Sequence, residues 1–225
     1  MADALSWTVE HLAGSAGDLH AREPAPDGHR RVWVHEPTGP AVVLGSTQDP
    51  GVVDRARATA AGVEVVRRGS GGGAVLVEPG GLMWVDVVVP PADPLWDDDV
   101  GRAAHWVGKA WTVALHRCGV DHGIAHEGGL VHGPWSRLVC FGGLGPGEVT
   151  VAGRKVVGLA QRRTRHGARF QCAAVVAWDP VPLLGLLRLS DEERAAAGAD
   201  LARRAAPIGC QPDALLAAFL ATLPD

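Results

Sequence analysis

The sequence predicts an α+β fold, a mixed or antiparallel sheet with helices packed on it. Three observations point there. Short β-branched apolar runs separated by Gly/Pro turns crowd the N-terminal part, a helix-spaced apolar face runs from Val100 to Cys118, and helix-start signals recur near the C-terminus. With 225 residues, 47% of them hydrophobic, the chain is expected to form one domain, residues 1–225, around a substantial core.

Taken in order, Arg31 to Glu36 and Ala41 to Gly45 read as short strands on either side of a Pro37-Thr38-Gly39-Pro40 turn. Val63 to Arg68 is a further β-branched run, and Ala74 to Val77 continues as a strand up to the turn at Pro79-Gly80-Gly81. Leu82 to Val89 reads as a central strand ended by Pro90-Pro91. Asp97-Asp98-Asp99 supplies a cap and favourable charge for the helix that Val100, Ala103, Ala104, Val107, Ala110, Trp111, Ala114 and Leu115 outline, and Gly119 ends it. Strands are expected at Leu138 to Phe141, Glu148 to Val151, Lys155 to Ala160 and Phe170 to Trp178. Helices are expected at Pro182 to Arg188, Ser190 to Arg204 and Asp213 to Leu223.

Composition excludes several classes. A net charge of −4 argues against a dedicated nucleic-acid binder. Met1 to Trp7 lacks the basic start and apolar core of a signal peptide, and apolar stretches such as Val85 to Pro91 are too short to span a bilayer. The four cysteines form no Cys-x-x-Cys pair and show no zinc spacing with histidine, so no metal site is expected. Reduced thiols in a cytoplasm are the expectation.

Two glycine-anchored basic motifs carry the chemistry. The first is Arg67-Arg68-Gly69-Ser70-Gly71-Gly72-Gly73-Ala74-Val75, the second Gly153-Arg154-Lys155-Val156-Val157-Gly158-Leu159-Ala160-Gln161-Arg162-Arg163. Glycines let a backbone approach a ligand closely, and cations beside them suit a carboxylate or phosphate. Gly69-x-Gly71-x-x-Ala74 loosely fits a dinucleotide fingerprint, but a Rossmann turn needs a helix next, and Val75-Leu76-Val77 reads as strand. No Gly-Lys-Ser/Thr follows, which excludes a P-loop. A hairpin turn would explain the glycines but not the arginines before them, so a ligand-contacting loop is favoured. Lys155 sits in an expected strand, where alternation fixes its face and a rigid ammonium can meet a carboxylate and then a developing charge. The basic run from Arg154 to Arg169, with Arg165, His166 and Arg169 at its end, reads at its blandest as a solvated loop or a nucleic-acid patch; Phe170 as the one ring nearby weakens the latter, and the distal arginines suit the steering of an acidic partner.

In these motifs, and in Leu44-Gly45-Ser46-Thr47-Gln48, the chain resembles the lipoate–protein ligase A-type cofactor transferases, relatives of the biotin–protein ligases. The resemblance runs from about Arg31 to Trp178 and implies a biotin/lipoate-ligase-like catalytic domain. It implies an enzyme that joins a lipoyl or octanoyl carboxylate to one lysine of a small acidic acceptor domain. ATP with Mg²⁺ would first form an acyl-adenylate. The resemblance places Arg67, Arg68, Ser70, Gly71, Gly72, Gly73, Ala74 and Gly158 around the acyl group and nucleotide, with Lys155 on the acyl carbonyl or bridging phosphate. Where relatives carry histidines, this chain has Leu76-Val77-Glu78 and Gln171-Cys172. The stretch after Trp178 is too short for the C-terminal accessory domain of many ligases, so a separate accessory subunit enters as an expected partner.

Cys140-Phe141 opens an alternative. The octanoyl and lipoyl transferases of the same superfamily carry a cysteine followed by Phe ahead of the lysine motif, and it takes the acyl group from an acyl carrier protein as a thioester, without ATP. Cys140 near Lys155 could act so. Against that, Val139-Cys140-Phe141 reads as buried core strand. A third reading is a non-catalytic or altered-substrate binder that keeps the pocket.

Overall fold

The computed structural model describes residues 6–225. Residues 1–5, part of the segment read above for a signal peptide, lie outside the described residues. Ten strands form two sheets. The larger has the order β1 (Thr8–Gly14), β2 (Arg31–Pro37), β6 (Leu82–Val89), β10 (Gly167–Val175), β9 (Arg154–Thr164), β8 (Val149–Val151) and β7 (Gly123–Ala125). Its β1–β2 pair is parallel and the rest are antiparallel, so the sheet is mixed. The smaller sheet has β3 (Ala41–Leu44) between β4 (Glu64–Arg67) and β5 (Val75–Val77). Pro37 to Pro40 is therefore a crossing from one sheet to the other rather than a hairpin.

Seven helices cover these sheets: α1 (Ala16–Ala21), α2 (Arg55–Ala60), α3 (Val100–Ala103), α4 (His105–Arg117), α5 (Val181–Leu186), α6 (Asp191–Arg204) and α7 (Pro212–Leu220). The expected helix after the aspartates is α3 and α4, and Asp99 caps it by accepting from Arg102 N. Ser190 and Glu193 form a reciprocal capping box at the start of α6.

Alternation along β6 divides the interior. Val85, Val87 and Val89 pack with Val107, Trp111, Leu115 and Phe219 in the core under α4 and α7, where the Trp111 and Phe219 rings stack 3.9 Å apart. Trp84 points to the opposite face and joins Val43, Val66 and Val77 of the small sheet. The space between the two sheets, on that second face, holds the site.

Two expectations need correction. Leu138 to Phe141 is not a strand: Cys140–Gly142 is a 3-10 turn, and the segment touches the small sheet only through a bridge between Val139 and Ala74. The reason is its tie to the glycine loop, with Ala74 N donating to Leu138 O and Cys140 N to Ala74 O. The basic run is not a solvated loop either. It is the β9–β10 hairpin, and Arg169 is buried against Asp86 at 2.5 Å while donating to the carbonyls of Leu19, His20 and Arg22. Arg162 pairs with Glu23, and Arg163 donates to the carbonyls of Asp97 and Asp98.

Candidate functional site

The first motif leaves β4 at Arg67 and enters β5 at Val75, so a strand does follow the glycines. The loop is clamped from both sides. Ser46 N donates to Ser70 O, and a Cβ on Gly45 would stand 1.9 Å from Gly72 O. A Cβ on Gly73 would collide with the Val139 and Cys140 backbone at 2.6 and 2.7 Å. Gly72 has φ +101°, a region that favours glycine, and its Cβ would lie 2.7 Å from the Arg68 guanidinium. Gly71 alone of these three has nothing within 4 Å.

Arg68, 5% exposed, folds back over its own loop. It donates to Gly71 O at 2.7 Å and Gly73 O at 3.0 Å, and its Nη2 lies 3.9 Å from Cys140 Sγ. Ser70 is buried and donates to Gln171 Oε1 at 2.5 Å, and Gln171 Nε2 meets His20 Nδ1 at 3.1 Å. His20 packs against the Trp84 ring at 4.3 Å. Burial holds its pKa down to about 3, against the opposing pull of Asp86, so its imidazole is neutral. Asp86 receives His35 at 2.8 Å and Trp84 Nε1 at 2.8 Å. Burial pushes that carboxyl up, but Arg169 and His35 outweigh it and hold it below its ordinary value.

Lys155 lies at the start of β9 opposite Thr150, beside a register shift in β8, and is 3% exposed. Its Nζ sits 2.7 Å from Glu148 Oε1 and donates to Cys140 O at 3.0 Å and Gly143 O at 3.2 Å. The ammonium also stands 5.0 Å from the centre of the Phe141 ring.

Two cavities meet here. An apolar one, about 510 Å³ including its mouth, is walled by Val43, Val75, Val77, Leu82, Trp84 and Phe141, with Gly158 and Ala173 on its floor. Gly158 on β9 pairs with Ala173 on β10, which pairs with Trp84 on β6, so the cavity runs across three strands toward Trp84 and His20. A larger trench of about 1380 Å³ including its mouth adjoins it, of mixed character, with Gly71, Gly72, Gly73, Arg137 and Lys155 beside Leu130 and Leu144. Cys140, Leu159 and Ala160 line both and form the seam.

Of the residues expected from sequence, Gly71, Gly72, Gly73, Cys140 and Lys155 come together at the trench, and Arg68, Cys140 and Gly158 at the apolar cavity. Arg67 is exposed and donates to Ser46 O, Ser70 stands behind the wall, and Ala74 is buried in the core under the loop. Cys140 is half-buried rather than buried, while Cys172 is fully buried and burial pushes its thiol up. Sequence reading missed His20, Trp84 and Arg137 in the cavity walls. The basic, polar character of Ser136-Arg137 beside Cys140 was the one available signal.

A family model described as lipoyl protein ligase A/B catalytic domain matches residues 19–209. The chain belongs to that family. It is therefore an enzyme, a lipoate–protein ligase or a related lipoyl/octanoyl transferase, and its mixed sheet with packed helices is the fold of lipoate and biotin ligase catalytic domains. The bipartite lipoate protein ligase of Thermoplasma acidophilum, described with its E2 lipoyl domain as an archaeal lipoylation system, is 17% identical with TM-score 0.73, covering 95% of this chain and 80% of that one. A lipoate-protein ligase A bound with ATP is 18% identical with TM-score 0.63, covering 96% and 82%. The biotin protein ligase of Leishmania major in complex with biotin is 16% identical with TM-score 0.52, covering 95% and 71%. A comparison with curated protein sequences gives no significant match. No helix among the described residues is long and apolar enough to cross a membrane.

Proposed function

We propose that this chain attaches a lipoyl or octanoyl group to a lysine of a lipoyl-acceptor domain through an acyl-adenylate. The observation that carries the reading is the seam, where an apolar cavity meets, beside Lys155, a larger trench with more polar groups in its lining. An acyl chain fits the first compartment and a nucleotide the second, with the carboxylate between them. The likeness to ligases bound to ATP and studied with a lipoyl domain supports the same substrates and acceptor. A carboxylate oxygen attacks the α-phosphorus of ATP and pyrophosphate leaves. The acceptor amine then attacks the acyl carbon, AMP leaves, and the amine's proton passes to solvent. Lys155 neutralises the oxygen on which charge builds in both steps, and Arg137, which is exposed in the trench, faces the phosphates. No three His, Cys, Asp or Glu residues cluster as a metal site among the described residues.

The half-burial of Cys140, on the seam and within reach of Arg68, favours a second reading as a thioester-forming transferase supplied by an acyl carrier protein. Cys140→Ser separates the two. Intact mass spectrometry of protein and acceptor, with lipoate and ATP or with an octanoyl carrier, reads the outcome. The variant is expected to keep ATP-dependent transfer and release pyrophosphate. A hydroxylamine-labile adduct on wild-type Cys140, lost in the variant, with no pyrophosphate under any condition, establishes the transferase instead.

A further inference from the structure

Lys155 has three N–H bonds, and all three point at protein oxygens: Glu148 Oε1, Cys140 O and Gly143 O. Glu148 is as fully engaged. Its Oε2 accepts from Gly145 N at 2.7 Å, its Oε1 accepts from Leu159 N at 3.0 Å as well as from Lys155, and it is 4% exposed. Leu159 belongs to the seam, so one carboxylate links the ammonium to the seam strand and to the turn at Gly145. The other ionisable groups nearby are the Cys140 thiol, His132, Arg137 and Asp49 in the trench, and Arg204 of α6, which shares a shallow hollow with Lys155 and pairs with Asp200. Among these Asp49 is spent capping its own turn through Gly51 N, so Glu148 is the carboxylate that neutralises Lys155.

We propose that Glu148 is the positioning residue of this site, holding the Lys155 side chain at the seam and tied to the 140–148 segment. It acts through Lys155 and touches no substrate itself. An incoming acyl oxygen takes the place of the longest of the three contacts, Gly143 O at 3.2 Å, while Glu148 keeps the nitrogen where it is. The role of the aimed ammonium rests on the acyl-transfer reading above; the pairing that aims it does not.

Glu148→Gln keeps the shape and removes the charge, and its single carbonyl oxygen accepts from only one of Gly145 N and Leu159 N. Nitrogen-detected NMR is expected to show the Lys155 side-chain resonance displaced in Glu148→Gln, and transfer to a lipoyl domain should fall roughly tenfold or more in kcat with little change in the KM for lipoate. A Lys155 resonance unmoved by the variant, or a loss confined to KM, overturns the proposal. A wild type that transfers nothing with ATP breaks the ligase reading, and the NMR comparison still decides this one. Where Glu148→Gln does not fold, Glu148→Asp carries the test. Its charge keeps the pair while its shorter tether withdraws the ammonium, so the rate drops; a wild-type rate there also overturns the positioning role.

Discussion

Arg68 and Lys155 are the buried cations of the two glycine motifs, and the protein uses them differently. Arg68 gives its guanidinium fork to the carbonyls of Gly71 and Gly73 in its own loop, and its hydrogen bonds go to carbonyls and a thiol rather than to a carboxylate. Lys155 pairs with Glu148 and reaches the trench. A planar fork with five donors suits carbonyls spaced along a turn, whereas a compact ammonium can exchange one oxygen for another with little rearrangement. Cations beside glycines thus have two separate employments. One shapes the loop, and the other stands where charge develops.

The largest expected effect tests the Lys155 half of that contrast. Lys155→Ala should lower acyl transfer by about 10²–10³, the usual loss for one donor aimed at a developing oxyanion. It also strands Glu148, and breaking a buried pair from one side costs about 3–5 kcal/mol. Activity and thermal melting must therefore be read together with the double variant Lys155→Met/Glu148→Gln. That variant should regain stability and stay inactive. Recovered transfer in the double variant means Lys155 serves only to satisfy Glu148.

Arg68→Ala should act mainly on stability. Two loop carbonyls lose their donor, at about 1–3 kcal/mol for each buried group left unpaired. Arg68→Lys should not rescue it, because three donors on one nitrogen cannot span Gly71 O and Gly73 O as the fork does. Denaturant titration checks both. Wild-type stability with lost ligand affinity would make Arg68 a ligand contact and erase the distinction from Lys155.

A smaller effect separates neighbouring glycines within the loop. Gly72→Val puts a β-branched side chain at φ +101° and against Arg68, so it should cost about 1–3 kcal/mol before any ligand is added. Gly71→Ala meets nothing within 4 Å and should melt like the wild type, changing only what a methyl group in the trench obstructs. Calorimetry with ATP and lipoate beside the melts distinguishes them, and equal melting of the two variants refutes the clamped-loop picture.

Much of this was legible in sequence, for particular reasons. Strands such as Leu82–Val89 and the capped helices announce themselves through β-branched runs and aspartate or serine caps. Thr8–Gly14 was missed because its outer positions are exposed and its pattern weak, and α1 and α2 because six residues are too few to show a helical period. Lys155 was found because a strand fixes its direction. Its partner role with Glu148 was not, since the pairing depends on a register shift in β8 that no periodicity reports. Cys140 was misjudged as core because Val139 and Phe141 on either side are buried, while a 3-10 turn lets the residue between them reach the seam.

The smallest expected effect lies on the Arg68 side, at the far end of the chain of contacts from Ser70 through Gln171 to His20. His20 is held neutral in the fold, with a pKa near 3 against 6.5 for an unperturbed imidazole, first through burial. Between those values the unfolded chain binds a proton that the folded one refuses, so stability is lost as pH falls from about 6.5 toward 3. The loss from this group approaches about 1 kcal/mol per pH unit once the unfolded imidazole is mostly charged. Carboxylates held low, such as Asp86, are lost only further down, so the window from pH 6.5 to 5 isolates the histidine. His20→Gln should flatten the stability profile in that window. A variant whose melting still declines with the wild-type slope there would mean that His20 is charged in the folded protein, and that the polar edge of the apolar cavity carries a cation of its own.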